Sequence, residues 1–292
     1  DTIVDEHYNT NDSYLMNNNS RYDSYSRDSA HVFVGEYAAT SPGFGTLQTK
    51  SNIYEAAEEA SYLTGIERNG DIVDMASYAP TFAKVNSQCW NVNLIWFDSQ
   101  EIVLTPSYYT QMLFANNYGS EYIFSTFGNG KTDENGVCQS VTVDEEGQVV
   151  YVKLVNTSGK ETAVDVKLEG WDNINKASVQ SVEGKYKQAC NELGKNTTYP
   201  TEYDINISDN QMTVELGKYD VTVLRIAYGN NDGSLLYTLP NFINTMTQNT
   251  TDFVPVALKV GIGGGAAGAV LLVAAACAVT VIMKKKSKKG DN

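Results

Sequence analysis

The hydrophobic and polar positions of this chain fall into two unlike regimes. Over roughly the first 115 residues, short and nearly continuous apolar runs alternate with stretches of helical spacing. The runs are Thr2-Ile3-Val4, Val32-Phe33-Val34 and Ile72-Val73-Asp74-Met75-Ala76, and each suits a strand buried on both faces. Ala56, Ala57, Ala60, Leu63 and Thr64 recur at spacings of three and four, which predicts a helix over Ile53 to Arg68 that Asn69-Gly70 stops. A second helix is predicted from Pro106 to Asn116, with the proline in its first turn. A polar, asparagine-rich loop from Asn9 to about Ser20 and a loop holding Pro42, Gly43 and Gly45 lie between these elements. Strand, loop, helix is the order of β/α units around a parallel sheet. Three strands are far fewer than the eight of a closed (β/α)8 barrel, so this region reads as the end of one.

From about Gly119 to Tyr228 the pattern changes to alternation. Val141–Val143, Val149–Val155, Ala163–Leu168, Met212–Leu216 and Val221–Ile226 are punctuated by Glu146-Gly147, Ser158-Gly159, Asp209-Asn210 and Gly217-Lys218. That is the signature of an antiparallel β-sandwich. Gly229 to Asp252 is polar and reads as a tether. Val260 to Met283 is 24 residues without a charge, about 36 Å as a helix against a hydrocarbon core of about 30 Å. The expected organisation is therefore α/β plus all-β. Residues 1–118 form the C-terminal part of a (β/α)8 barrel and 119–229 a β-sandwich. A polar linker (230–255), one transmembrane helix (256–283) and a lysine-rich tail (284–292) follow.

Charge sharpens that picture. The net charge is −14, yet the last nine residues hold five lysines and one aspartate, so residues 1–283 carry −18. By the positive-inside rule the lysine cluster is cytoplasmic and the rest of the chain extracellular, on a cell-membrane protein with a single span. So acidic an outer part repels phosphate backbones, which excludes nucleic acid as a partner and leaves neutral polymers such as polysaccharides. An exported chain needs a signal, and Asp1 follows none, so the sequence reads as a C-terminal fragment. Only two histidines are present, and Cys89, Cys138, Cys190 and Cys277 form no C-x-x-C pair, so no metal and no disulfide is expected. Sequons begin at Asn11, Asn18, Asn156, Asn196, Asn206 and Asn249, a number that an asparagine-rich chain reaches by chance. Gly261, Gly263, Gly264, Gly265 and Gly268 either let spans pack closely and pair chains into an oligomer, or form a tolerated small-residue stretch.

In α/β barrels the reacting side chains sit at the carboxyl ends of strands. Two strand ends here join carboxylates to aromatics: Asp5-Glu6-His7-Tyr8 and Gly35-Glu36-Tyr37. A glycine before a glutamate lets a substrate ring approach the backbone, which suits Glu36 to a nucleophile's position. Hydrolysis with retention needs two carboxyl groups about 5–5.5 Å apart. If His7 points toward a site, pleating turns Glu6 and Tyr37 away from it.

The wider string carries a family resemblance. Asp5-Glu6-His7-Tyr8, Phe33-Val34-Gly35-Glu36-Tyr37-Ala38, Thr64-Gly65-Ile66-Glu67-Arg68-Asn69-Gly70-Asp71 and Ala76-Ser77-Tyr78-Ala79-Pro80-Thr81-Phe82 occur in that order. Trp90-Asn91-Val92-Asn93-Leu94-Ile95 and Thr105-Pro106-Ser107-Tyr108-Tyr109 follow. This resembles the C-terminal half of the α-L-arabinofuranosidases of glycoside hydrolase family 51, from about Asp1 to Ile123, with a β-domain of fitting size after it. The resemblance implies a retaining enzyme, without cofactor, that releases terminal α-L-arabinofuranosyl units from arabinan- or arabinoxylan-type polysaccharides. It implies Glu36 as nucleophile at the end of the seventh barrel strand, and His7 and Tyr8 as the substrate-facing pair of the sixth. Trp90 could stack on a sugar, as could Trp96, or either could pack in the core. The family's acid/base lies in an Asn-Glu dipeptide after the fourth strand. The one Asn-Glu here, Asn191-Glu192, is far out of order and reads as a surface pair, so the acid/base is expected outside this chain. Glu67, Arg68 and Asp71 lie before the eighth strand, on the face away from the site, and read as stabilising. The rival expectation is a non-catalytic, membrane-anchored protein that binds glycan or acts as a spacer.

Overall fold

The structure is a computed structural model that describes residues 2–11, 13–40, 51–88, 90, 92–239 and 279–284. Each early apolar run lies at the start of a longer strand. β1 (Ile3–Thr10), β2 (His31–Ala39) and β3 (Val73–Tyr78) pair in parallel in the order β1-β2-β3. The loop after β1 holds a single helical turn, α1 (Tyr14–Asn17), and a short 3-10 turn over Arg21–Ser24, where the sequence predicts only a polar loop. The second loop, with Pro42, Gly43 and Gly45, lies outside the described residues.

Both long helices have the predicted bounds, because local chemistry fixes their ends. At α2 (Ile53–Arg68) the Asn52 side chain accepts from the Tyr54 and Glu55 N–H groups. The Glu55 carboxylate accepts from the Asn52 N–H in return, a complete capping box. α3 (Pro106–Asn116) starts where Thr105 Oγ1 accepts the Tyr108 N–H, with Pro106 in its first turn. α2 is buried almost all round. Ala57, Ala60 and Leu63 pack with Val32, Val34 and Tyr37 of the parallel sheet. Ile53 and Ala56 pack instead with Val149, Tyr151, Val182 and Val223.

A small sheet of β4 (Phe82–Lys84), β5 (Ile95–Phe97) and β6 (Ile102–Leu104) leads into α3. The sandwich follows: β7 (Glu121–Tyr122), β8 (Ser125–Phe127), β9 (Asp133–Glu134), β10 (Val137–Asp144), β11 (Val149–Asn156) and β12 (Thr162–Glu169). β13 (Ile174–Val182), β14 (Thr201–Ile205), β15 (Gln211–Leu216) and β16 (Val221–Tyr228) complete its continuous part. One sheet runs β14-β13-β16-β11-β10-β7, with β9 on β10. Val141, Val152, Leu154, Val166, Val214, Leu224 and Ile226 fill the space between this sheet and its partner.

Three features differ from expectation. β13 escapes the alternation rule because Ser178 and Gln180 are buried, where they bind Arg225 and Asn117. The outer face of the larger sheet is not solvated, since α2 and α3 cover it. The expected tether begins by folding back: Leu236 is buried in the core, and the Asn231 side chain donates to the Gly147 carbonyl. The rest of that tether, from residue 240, lies outside the described residues.

Most of the expected membrane span, residues 256–278, and the tail from 285 also lie outside them. Val279–Lys284, the end of that span, is extended rather than helical. It forms β17, parallel to β12 and antiparallel to β8, in a sheet ordered β15-β12-β17-β8. Val279, Thr280, Val281 and Ile282 are β-branched and favour a strand wherever backbone partners are on offer. Among the described residues, no helix is long and apolar enough to cross a membrane.

Candidate active site

The register of the parallel sheet decides which side chains meet. β1 and β2 run in step from Ile3↔His31 to Glu6↔Val34, and then a one-residue shift sets His7 opposite Glu36. Gly35 is the extra residue. The shift puts Glu36 in phase with Asp5, His7 and Asn9 on the face that no helix among the described residues covers. Val34 and Tyr37 stay on the buried face, where the Tyr37 hydroxyl donates to Gln111 Oε1 at 2.5 Å. A Cβ at the bulge would meet the Asp5 carboxylate and lie 2.9 Å from His7 Nε2, so a larger residue there would push these exposed side chains aside.

On the open face His7 Nε2 and Asp5 Oδ2 are 3.1 Å apart and both side chains are exposed. Asn9 Nδ2 donates to Glu36 Oε2 at 2.7 Å. Glu36 Oε1 has no hydrogen bond among the described residues. The same face exposes Ile3 and Met75, which is unusual for a parallel sheet, whose faces are ordinarily both covered.

The opposite face holds Glu6 and Tyr8. Glu6 accepts from the hydroxyls of Tyr8 (2.6 Å), Tyr22 (3.0 Å) and Tyr25 (3.1 Å), with Arg21 Nε 3.4 Å away. Burial works against its charge, but these hydrogen bonds and the Arg21 guanidinium outweigh burial and hold the carboxyl below its ordinary value. The Arg21 guanidinium also lies over the Tyr8 ring, 5.1 Å from its centroid, and Tyr8 stacks on Tyr14. The structure therefore brings His7 and Glu36 together and places Tyr8 on the other side of the strand, in a hydrogen-bonded hub that orders the loop after β1.

α2 ties down both strand tips. Glu58 Oε1 accepts the Ser13 N–H at 2.6 Å, and Glu59 Oε1 accepts the Ala39 N–H at 3.0 Å. Glu59 is fully buried, and burial pushes its carboxyl up to about 8 against the opposing polar groups of Ser107, Ala39 and Tyr78. Beyond β3, Trp90 is 51% exposed while Trp96 is buried with Ala83 and Val103. Asn191 is buried, not a surface residue: its side chain bonds Leu104, Thr197 and Thr198 and fixes a loop.

Glu67, Arg68 and Asp71 lie at the amino ends of the strands. Glu67 pairs with Lys153 at 2.7 Å, Arg68 Nη2 donates to the Asn19 carbonyl and Asp71 pairs with Arg27. A cavity of about 600 Å³ opens there, lined by Glu67, Arg68, Asp74, Tyr118 and Tyr122, at the end of the sheet away from Glu36. Cys138 is a buried thiol beside Ser61 Oγ and Asn19 Nδ2. Among the described residues no cluster of His, Cys, Asp and Glu is arranged to hold a metal.

Chemically, the open face offers one carboxylate with a restrained and an unrestrained oxygen, next to an exposed carboxylate–imidazole pair. That suits a nucleophile or base acting on a ligand laid across the sheet. Sequence reasoning missed Asn9, which it placed in a loop, and Glu58 and Glu59, which helical spacing assigns to a solvated side. A capping-box glutamate followed three and four residues later by two more was the available signal.

The family model for the C-terminal domain of α-L-arabinofuranosidases matches residues 35–219. α-L-Arabinofuranosidase 1 of Arabidopsis thaliana is 31% identical over 224 residues, which cover 75% of this chain and 31% of that protein. An extracellular exo-α-L-arabinofuranosidase of Streptomyces chartreusis is 39% identical over 121 residues, 41% of this chain and 14% of that one. An arabinose-bound family 51 α-L-arabinofuranosidase superposes with a TM-score of 0.72 at 27% identity, over 78% of this chain and 37% of that one. The α-L-arabinofuranosidase of Thermotoga maritima, at 17% identity and a TM-score of 0.61 over 76% of this chain and 52% of that one, shares the fold. The chain thus spans about a third or less of the length of these curated relatives.

Proposed function

The chain belongs to the α-L-arabinofuranosidases of glycoside hydrolase family 51, and on that premise we propose that it is the C-terminal portion of a retaining enzyme. The enzyme releases terminal α-L-arabinofuranosyl units from arabinan- or arabinoxylan-type polysaccharides. The carrying observation is the position of Glu36 on the middle strand of a parallel sheet, opposite His7; among the described residues no helix covers that face and one Glu36 carboxylate oxygen has no hydrogen bond.

In this reading β1, β2 and β3 are the sixth, seventh and eighth strands of a (β/α)8 barrel, and the uncovered face is its interior. The exposed Ile3 and Met75 and the share of each relative that is matched support it. Glu36 attacks the anomeric carbon, and a carboxylic acid carried by the upstream part of the protein protonates the leaving oxygen. Water then hydrolyses the arabinosyl ester, with that second group now acting as base. His7 faces the sugar and Trp90 offers an exposed aromatic face beyond β3. Tyr8 acts from the far side of the strand, by holding the loop after β1. No metal or organic cofactor is called for.

We further propose that the uncharged stretch before the lysine tail anchors the enzyme in the cell membrane, with the catalytic part outside. Val279–Lys284 cannot lie in the bilayer and in the β12–β8 slot at once, so anchoring requires this segment to leave the sheet.

The test is Glu36→Gln in the complete protein with 4-nitrophenyl α-L-arabinofuranoside as substrate. A loss of about a thousandfold or more in kcat is expected for a missing nucleophile. Unchanged turnover would sink the assignment. A parent protein that binds arabinan without cleaving it would establish the glycan-binding or spacer role instead.

A further inference from the structure

We propose that Asn9 is a positioning residue for Glu36, its amide holding Oε2 so that Oε1 is the oxygen that attacks the anomeric carbon. The inference rests on the reading of Glu36 as nucleophile and goes beyond it by assigning separate work to the two carboxylate oxygens.

A glutamate side chain has three rotatable bonds, and ordering it unaided costs conformational entropy at each reaction. Here the cost is met in advance. Asn9 Nδ2 lies 2.7 Å from Glu36 Oε2, a short contact of the kind formed when one partner is charged. The bond joins neighbouring strands whose tips are themselves fixed. Thr40 N and Oγ1 both donate to the Thr10 carbonyl at 2.8 Å, one residue beyond Asn9. Glu59 holds Ala39, three residues beyond Glu36, and Glu58 holds Ser13, four beyond Asn9. One helix therefore sets the spacing of the strands that carry donor and acceptor. The bulge at Gly35 is the other requirement, because without it Glu36 would fall on the face of Tyr8.

The chemistry follows from that restraint. An Oε1 lone pair forms the bond to the anomeric carbon as the bond from that carbon to the leaving oxygen breaks. The leaving oxygen takes the released electron pair and a proton from the carboxylic acid elsewhere in the enzyme. A nitrophenolate leaves without needing that proton. Oε2 becomes the carbonyl oxygen of the arabinosyl ester and keeps the Asn9 hydrogen bond. When water forms its bond to the anomeric carbon, its proton goes to the carboxylate elsewhere in the enzyme, the carbon–Oε1 bond breaks with its electron pair returning to Glu36, and the same N–H stabilises the carboxylate that is regenerated.

The experiment has two arms. In the complete enzyme, Asn9→Ala should lower kcat for 4-nitrophenyl α-L-arabinofuranoside by about tenfold to a hundredfold, the scale of one hydrogen bond to a charged group. Inhibition by free arabinose should stay within about twofold, since the bond to Glu36 is not a contact to sugar. Asn9→Asp, of equal size but with no donor and a like charge, should be slower than Asn9→Ala. Both variants turning over at the parent rate, while Glu36→Gln is inactive, overturns the proposal. The second arm needs no activity and so separates this inference from the nucleophile assignment. In the present chain the Asn9 side-chain amide signals should move on Glu36→Gln in nitrogen-15 NMR spectra. Unmoved signals overturn the positioning role even if Glu36 proves catalytic. Moved signals with an active Glu36→Gln enzyme remove the nucleophile and, with it, the division of labour between the oxygens.

Discussion

Glu59 shows how burial at a single residue leaves a measurable trace. Its carboxyl is pushed from about 4.5 to about 8 by burial on α2, with Glu58 nearby adding to the shift. Tyr37, Tyr78, Ser107 and the Ala39 N–H face it from the neighbouring elements. The fold prefers the protonated form, so the stabilisation from Glu59 is fully present below about pH 4.5 and is lost as pH rises through about 8. Each unit of that shift corresponds to about 1.4 kcal/mol. Glu59→Gln, which keeps an acceptor for Ala39 and cannot ionise, should melt several degrees above the parent at pH 9 and close to it at pH 5. Thermal unfolding across that range checks this, and parallel curves for the two proteins would contradict it. Asp220, pushed up to about 7 by burial, has the same sign and leaves a residual slope in the variant. Glu6 acts in the opposite direction, losing its contribution as pH falls.

At the scale of elements, α2 is the hinge pin between the parallel sheet and the sandwich. Its last turn presents Glu67 to Lys153 of β11, a lysine with no solvent exposure whose ammonium also donates to Thr142 Oγ1 at 3.0 Å. Burial pulls the Lys153 ammonium down from its ordinary value, and Glu67 counteracts that. Ser140 donates to the second Glu67 oxygen at 2.5 Å. A pair so placed is costly to break and much cheaper to replace whole. Glu67→Gln should destabilise the chain by about 3 kcal/mol, near the low end for such sites because Glu67 keeps some solvent contact. Glu67→Leu combined with Lys153→Met should recover most of the loss. Urea unfolding of the single and double variants decides it. A Glu67→Gln variant within about 1 kcal/mol of the parent would mean that the pair contributes little.

For the whole molecule, the proposed function bears on how its sheets are covered. Two places matter: the face of β1–β3 that no helix among the described residues covers, and the slot between β8 and β12. In the structure the slot is filled by Val279–Lys284. The proposed membrane anchoring would empty it, which would tie the state of the sandwich to the state of the C-terminal segment. The 292-residue chain should float with phospholipid vesicles in a density gradient, and a chain ending at residue 239 should stay at the bottom. A full chain that fails to float would remove the membrane proposal.

Much of this protein is written locally. The two long helices carry their own start signals, Asn52 with Glu55 and Thr105 with Pro106, so α2 and α3 are legible from sequence with their ends. The sandwich strands that alternate cleanly are legible for the same reason: side-chain direction in a strand repeats every two residues. The motif string is legible as a family, whereas Gly35-Glu36, expected at a strand end, lies inside β2. Tertiary structure alone decided the rest. A one-residue shift between β1 and β2 cannot be read from either strand, yet it determines that Glu36 meets Asn9 and His7 while Tyr8 turns to Glu6. The burial of Lys153, Arg225 and Glu59 is invisible to periodicity, because an outward-facing position is polar whether water or a neighbouring element covers it. Sequence fixes which way a residue points along its own element, and only packing decides what stands there to receive it.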